Sequence, residues 1–281
     1  MLTGKGLIAG VMGWPVGHSR SPLLHGYWLR HYGIDGAYIP LATPPERAEQ
    51  ALRALPALGL RGCNVTIPYK ELAFRIVDRL DPCARRIGAV NTVIVAPDGT
   101  LEGRNTDGFG FWENLAASSP PAWSVTRGPS VVLGAGGAAR GVVVALLDAG
   151  APEIRLLNRT QARAAEIAAD LGDPRIRVGD WNDRSRALDG AVLLVNSTSQ
   201  GMTGYPPLEI DLAALPPDAI VTDIVYVPLV TPLLLAAQAR GNPVVDGLGM
   251  LLHQARPGFH AWFGTDPQVT DDLRRFVLDP R

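Results

Sequence analysis

Residues 131–150 read VVLGAGGAARGVVVALLDAG, and this stretch decides the fold. A short β-branched apolar run makes a buried strand, glycines 134 and 136 make a tight turn, and the long apolar run that follows makes a helix. Gly134, Gly136 and Ala139 fit the pattern GxGxxG/A in the strand–turn–helix context that dinucleotide binding requires. Glycines let a backbone approach a pyrophosphate closely, and the helix start offers N–H donors and positive potential. Gly- and Ala-rich turns also serve plain structural ends, so the context carries the reading.

The next strand, IRLLNR at 154–159, ends where NAD enzymes place an acidic residue on the ribose 2′-hydroxyl. Here stand Asn158, Arg159 and Thr160. No carboxylate is present to repel a 2′-phosphate, and Arg159, with Arg163 one helical turn on, can hold one. NADP is therefore the expected cofactor. Thr160 is also an expected helix cap.

Around this core, AVLLVNST (191–198), AIVTDIVY (219–226) and NPVVDG (242–247) read as strands, with helical segments at 160–171 and 231–241. The block is a doubly wound sheet. A Pro- and Ser-rich patch at 116–130 precedes it. The first block alternates strand 7–12, a helix just after Pro22, strand 37–41, a helix over 44–59 ending at Gly59, and strand 62–68. A hairpin over 91–108 closes it, turning on Asp98-Gly99 for the positive φ angles a tight turn needs. This alternation predicts a mostly parallel α/β sheet. The segment from residue 247 on is helical, has no strand to follow, and could pack on either block.

The chain has 281 residues, a length that suits two domains. Its 47% apolar and 19% charged residues supply real cores and exclude disorder. A formal net charge of −1 without like-charge blocks argues against a nucleic-acid or anionic-membrane surface. Cys63 and Cys83 form no CxxC or zinc spacing and fit a reducing compartment. His18, His25, His31, His253 and His260 make no metal-ligand spacing, so no metal site is expected. No apolar run approaches the ~20 residues of a membrane span. The stretch GLIAGVMGWPVG (6–17) is broken by Gly13, Trp14 and Pro15 and reads as a first core strand, not a signal peptide. A cytoplasmic location is expected.

NVTIPYK, residues 64–70, gathers unusual chemistry. Asn64 and Thr66 share one side of a strand, Pro68 suits the first position of a helix, and Lys70 falls in its first turn. A helix start disfavours a cation, which is poor for stability and useful for a group that exchanges a proton. If the hairpin has a two-residue loop, paired residue numbers sum to about 197, so Asn91 lies opposite Thr106 with Asp107 at the open base. Asp107 is equally a good cap for the helix that follows, and Lys70 taken alone could be a solvated helix lysine. In HSRSP (18–22), Ser21 before Pro22 is a plausible N-cap, yet the two hydroxyls flanking Arg20 can also bind a carboxylate.

Nine pieces in order carry a resemblance: HSRSP, GCNVTIPYK, GAVNT, NTDG, GAGGAAR, NRT, NSTSQGM, DIVYVPLVTPLL and GLGMLLHQ. Together the chain resembles the shikimate dehydrogenase family over nearly its whole length. The resemblance implies an α/β fold with an N-terminal substrate domain, a Rossmann-type NADP-binding domain, and C-terminal helices returning to the substrate domain. The expected boundaries are 1–108 with 246–281, and 109–245. It implies NADP-linked interconversion of 3-dehydroshikimate and shikimate, with Lys70 and Asp107 as catalytic pair. Ser19, Ser21, Asn64, Thr66, Asn91, Tyr226 and Gln254 would hold the substrate. Gly134, Ala135, Gly136, Gly137, Ala138, Ala139, Asn158, Arg159, Thr160, Arg163, Ser197, Thr198, Ile224, Gly247 and Met250 would hold the cofactor. Of these, Tyr226, Gly247 and Met250 would lie around the nicotinamide. The family often has alanine where Ser197 stands, a departure expected to matter little. A quinate/shikimate or aminoshikimate dehydrogenase is the alternative within the class, although a serine at both 19 and 21 looks more shikimate-like. A non-catalytic NADP sensor would be expected to lack the Lys–Asp pair. A monomer or homodimer is expected.

Overall fold

The computed structural model describes residues 2–279. The chain divides into two compact units. One comprises the residues up to Thr106 together with those from Leu251 on; the other is Asp107–Met250.

The first unit carries a six-stranded sheet built from β1 (Leu7–Gly13), β2 (Gly36–Ala42), β3 (Gly62–Val65), β4 (Arg79–Leu80), β5 (Thr92–Val95) and β6 (Leu101–Arg104), in the order β2-β1-β3-β5-β6-β4. Strand β1 pairs in parallel with both β2 and β3. Its buried, near-continuous apolar run is what a strand flanked on both edges and covered on both faces needs. The sheet is mixed, because β5 pairs antiparallel with both β3 and β6. The helices are α1 (Ser21–His31), α2 (Ala48–Ala54), α3 (Lys70–Ile76) and α4 (Pro82–Ile87).

Four local expectations need correction. The helix expected over 44–59 is a short 3-10 turn and α2, which ends at Ala54. Pro56 has no N–H to donate back to the Leu52 carbonyl, which accepts from Leu55 instead, and Gly59 lies in a later turn at φ +70°. Pro68 is not at the first helical position: the Tyr69 N–H closes a turn onto the Thr66 carbonyl, and α3 begins at Lys70. Ser21 is not the cap of α1 but its first residue; Arg20 occupies the cap position without a side-chain cap, and the Ser21 N–H donates to Ser19 Oγ at 3.3 Å. The hairpin register sums to 196, since Thr92 pairs Arg104 and Val95 pairs Leu101. Pro97 joins Asp98 and Gly99 in a three-residue loop, and Gly99 alone takes positive φ, +82°.

The second unit is an all-parallel six-stranded sheet of β7 (Ser130–Leu133), β8 (Ile154–Leu157), β9 (Ile176–Gly179), β10 (Leu193–Asn196), β11 (Ile220–Asp223) and β12 (Val244–Val245). The order β12-β11-β10-β7-β8-β9 is the doubly wound order 6-5-4-1-2-3, with its switch point between β7 and β10. Helices α5 (Asp107–Ser118), α6 (Gly137–Asp148), α7 (Gln161–Leu171) and α8 (Pro232–Ala239) complete it. Its cores join the sheet to the buried faces of α6 and α8 through residues such as Val132, Val143, Ile154 and Leu234. Helix α9 (Leu248–Phe263) starts in this unit, and its residues from Leu251 on belong with the first. There Phe259 and Trp262 are buried, and α10 (Asp271–Leu278) follows.

Candidate active site

In the first unit the structure brings together side chains from three separately read segments. Asn64, on β3, is cross-strand partner to Thr92 on β5. Its Nδ2 donates to Thr92 Oγ1 at 3.1 Å and to the Asn91 carbonyl at 3.2 Å, while its Oδ1 accepts from the Tyr38 hydroxyl at 2.6 Å. The Thr92 hydroxyl passes the chain on to Asn91 Oδ1 at 2.9 Å. Asn91 is gripped from the other hairpin arm by the Thr106 N–H on Oδ1 at 2.9 Å, and its own Nδ2 donates to Thr106 Oγ1 at 3.0 Å. Gln254 of α9 reaches the same place, its Oε1 accepting from Asn91 Nδ2 at 3.4 Å. Asn64, Asn91 and Thr106 are buried; Ser19, Thr66, Lys70 and Gln254 are half-buried. Such a network is stable in a low-dielectric interior because its members satisfy one another.

The serine segment is anchored elsewhere. Arg20 Nη1 donates to the carbonyls of Val277 (2.6 Å) and Leu278 (3.2 Å) at the end of α10, where a cation offsets the helix dipole. The guanidinium is thus engaged with backbone, and the flanking Ser19 and Ser21 supply the hydroxyls. Lys70 opens α3, and its carbonyl accepts the Val90 N–H at 2.9 Å, next to Asn91.

Three groups of this region are strongly perturbed. Burial pushes the His25 imidazole down to about 3, and neither ring nitrogen has a hydrogen-bond partner among the described residues. Burial raises the Tyr38 phenol well above its ordinary value. Cys63 is pushed up to about 12 by burial and is an inert core thiol.

In the second unit the glycine turn has the shape an anionic diphosphate needs. Gly134 sits at φ +109°, a conformation L side chains avoid, and a Cβ there would meet Ser197 Oγ at 2.6 Å. Gly136 caps α6 without a side chain, and nothing lies within 4 Å of where its Cβ would be. The first N–H groups of a twelve-residue helix are therefore open to a ligand. At the end of β8, Asn158 Nδ2 donates to the Thr160 carbonyl at 2.8 Å and fixes the turn. Thr160 is at the cap position of α7 but makes no side-chain cap bond. Arg159 and Arg163 are exposed and make no ion pair among the described residues. These residues fit a nucleotide carrying a 2′-phosphate.

Behind the loops that leave β10 and β11 lies a buried network. Asn196 Nδ2 donates to both Asp223 carboxylate oxygens at 3.0 Å, and Asp223 also accepts from the Val225 N–H and the Thr231 hydroxyl. Burial raises the Asp223 carboxyl, and these donors pull it back. Asn196 Oδ1 accepts from the N–H and hydroxyl of Thr198, so the network fixes the backbone that carries Ser197, Thr198, Ile224 and Tyr226. Met250 is buried in the core of this unit, with Ile224 packed against the same cluster. Gly247 is buried, and a Cβ on it would run into the Ile224 and Val225 backbone. Asp107 is buried as the first residue of α5.

Sequence reasoning did not single out Tyr38, Thr92, Asn196 or Asp223. Thr92 follows Asn91 directly, but its pairing with Asn64 belongs to the β3–β5 ladder, which no local pattern announces. Tyr38 gave no local signal beyond being a tyrosine on an apolar strand.

Residues 11–93 match the family described as the shikimate dehydrogenase substrate binding domain, and residues 117–203 match shikimate / quinate 5-dehydrogenase. The chain is 64% identical over 277 residues to the shikimate dehydrogenase (NADP(+)) of Paramagnetospirillum magneticum, covering 99% of this chain and 100% of that protein. The crystal structure of shikimate 5-dehydrogenase from Thermus thermophilus, in complex with NADP(H) and shikimate, is similar with a TM-score of 0.85 at 38% identity, over 96% of this chain and 99% of that one. Quinate dehydrogenase from Corynebacterium glutamicum in complex with NAD is similar with a TM-score of 0.88 at 29% identity, over 97% and 99%.

Proposed function

The chain belongs to the shikimate dehydrogenase family, and from that premise we propose that it catalyses the reversible NADPH-dependent reduction of 3-dehydroshikimate to shikimate, on the route to chorismate and the aromatic amino acids. The observation that carries this reading is the convergence of the Asn64, Asn91 and Gln254 side chains on one buried hydrogen-bonded chain in the first unit. Three segments far apart in sequence there present amides and hydroxyls of the kind a polyhydroxylated carboxylate needs. A non-catalytic NADP-binding role would leave that set without a purpose. A cytoplasmic location goes with this reading; no helix among the described residues is long and apolar enough to cross a membrane.

When bound, NADPH supplies the hydride for the carbonyl carbon. The backbone donors at the start of α6 hold its diphosphate, and Arg159 with Arg163 holds the 2′-phosphate. Ser19 and Ser21 donate to the substrate carboxylate, and Asn91 and Gln254 orient ring hydroxyls. Thr66 contributes a further hydroxyl from the end of β3. Lys70 gives a proton to the carbonyl oxygen on reduction and regains it on oxidation, and Asp107 shares in that proton transfer. Initial rates with shikimate and with quinate, each with NADP and NAD, test the assignment. The highest kcat/KM is expected for shikimate with NADP; a higher value for quinate, or for NAD, would overturn it.

A further inference from the structure

Tyr38 lies outside every segment from which the site residues are drawn, yet its side chain reaches one of them. It stands on β2, opposite Ala9 of β1, and Asn64 stands on β3, opposite Val11 of β1. Neighbouring residues of a ladder point to one side, so Tyr38, Ala9, Val11 and Asn64 share a face. Two strand spacings separate Tyr38 from Asn64, about 10 Å. A phenol laid across the small Ala9 has the length to span them, and the Tyr38 hydroxyl ends 2.6 Å from Asn64 Oδ1.

The ring is held in place. His25 of α1 stacks flat on it, with centroids 3.9 Å apart and planes 4° from parallel, and Trp262 lies 5.9 Å away. The single phenolic hydrogen is donated to Asn64 Oδ1, and Asn64 Nδ2 donates to the Asn91 carbonyl and to Thr92 Oγ1. Tyr38 therefore helps determine which way the Asn64 amide faces, with its NH2 directed to Asn91 and Thr92.

We propose that Tyr38 is a positioning residue for substrate recognition, its hydroxyl holding the Asn64 amide of β3 from the bed provided by His25. The proposal rests on the reading that Asn64 holds the substrate. Removing the hydroxyl leaves a buried amide oxygen without its partner and frees the amide to reorient.

The test compares Tyr38→Phe, Ser21→Ala and Asn64→Ala in the full chain, reading KM for shikimate, KM for NADP, kcat and the melting temperature. Tyr38→Phe keeps the stack on His25 and removes one oxygen. It is expected to raise the shikimate KM by about 5- to 100-fold and to leave the NADP KM within about twofold. A Tyr38→Phe enzyme with an unchanged shikimate KM, beside Ser21→Ala and Asn64→Ala enzymes that lose affinity, would overturn the proposal and spare the site. Unchanged shikimate constants in those two variants would overturn the site and the proposal together. An equal rise in both Michaelis constants with a lowered melting temperature would mean a structural role only, which also overturns it. If Tyr38→Phe does not fold, Thr92→Val interrupts the next link of the same chain. It should then shift the shikimate KM alone, and an unaltered KM overturns the proposal.

Discussion

Asn91 and Thr106 hold each other twice across the base of the hairpin: the Thr106 N–H donates to Asn91 Oδ1 at 2.9 Å, and Asn91 Nδ2 donates to Thr106 Oγ1 at 3.0 Å. Asp107 is the next residue along, and the Lys70 carbonyl accepts from Val90, the residue before Asn91. The backbone of each proposed acid–base residue is thus tied within one residue of this clasp. Lys70→Ala is expected to lower the chemical step by about 10²–10⁴-fold with NADP affinity near normal. Asp107→Asn should also impair turnover, and the double variant should lose less than the product of the two. Single-turnover rates check this, and wild-type turnover in Lys70→Ala would remove the lysine from the mechanism.

Ser19 and Ser21 have separable duties. Ser19 Oγ accepts the Ser21 N–H, so Ser19→Ala loosens the start of α1 as well as any substrate contact. Either alanine variant should raise the shikimate KM by an amount equivalent to about 1.5–3 kcal/mol and leave the NADP KM unchanged. A lowered melting temperature with an unchanged shikimate KM would assign the pair to holding the start of α1 alone.

Arg159 is exposed at the end of β8, with no acidic residue beside it among Asn158–Thr160. Arg159→Ala should weaken NADP by about 2–3 kcal/mol and leave NAD little changed. Added salt should narrow the NADP preference, because part of it is electrostatic. Equal specificity constants for the two cofactors in the unaltered enzyme would refute this assignment.

His25 predicts an acid-sensitive fold. Its imidazole is pushed down to about 3 in the native protein by burial, against 6.5 ordinarily. Between those values the unfolded chain binds a proton that the native one excludes, so stability falls as the pH falls from about 6.5 toward 3. The contribution of this group is about 1.4 kcal/mol per pH unit in that window and nothing above it. Urea unfolding at several pH values should show a shallower pH slope for His25→Phe than for the parent; parallel slopes would contradict the assignment.

Arg20 offers a further check. Arg20→Met removes two bonds to the last carbonyls of α10 and a cation from its negative end. The expected loss is about 1–2 kcal/mol in unfolding experiments, with a raised shikimate KM because Ser19 and Ser21 flank the anchor. An unaltered stability would show the clasp to be idle.

The doubly wound unit was legible because its signal is local: β-branched runs, a glycine turn and helix periodicity fall within thirty residues. The edge strand β9 escaped because IRVG is short and half polar, and β4 because two residues carry no pattern. The hairpin register slipped by one because Pro97 enters the loop, which Asp98-Gly99 alone does not announce. Asn64, Asn91 and Gln254 were read from the family's motifs, whereas Tyr38 was not. Its role depends on β2 lying two strands from β3, and strand order is a property of the whole sheet. Arg20 was read as a bystander between two serines, and its partners lie more than 250 residues away.

The two stretches that build the first unit flank the second in the chain. During synthesis the first 106 residues emerge well before Trp262, whose indole N–H donates to the Val93 carbonyl, and before the α10 carbonyls that Arg20 seeks. The second unit is contiguous and has all its strands as soon as Met250 has emerged. The second unit is therefore complete in the emerging polypeptide before the first has received Trp262 and α10, although the first unit begins the chain.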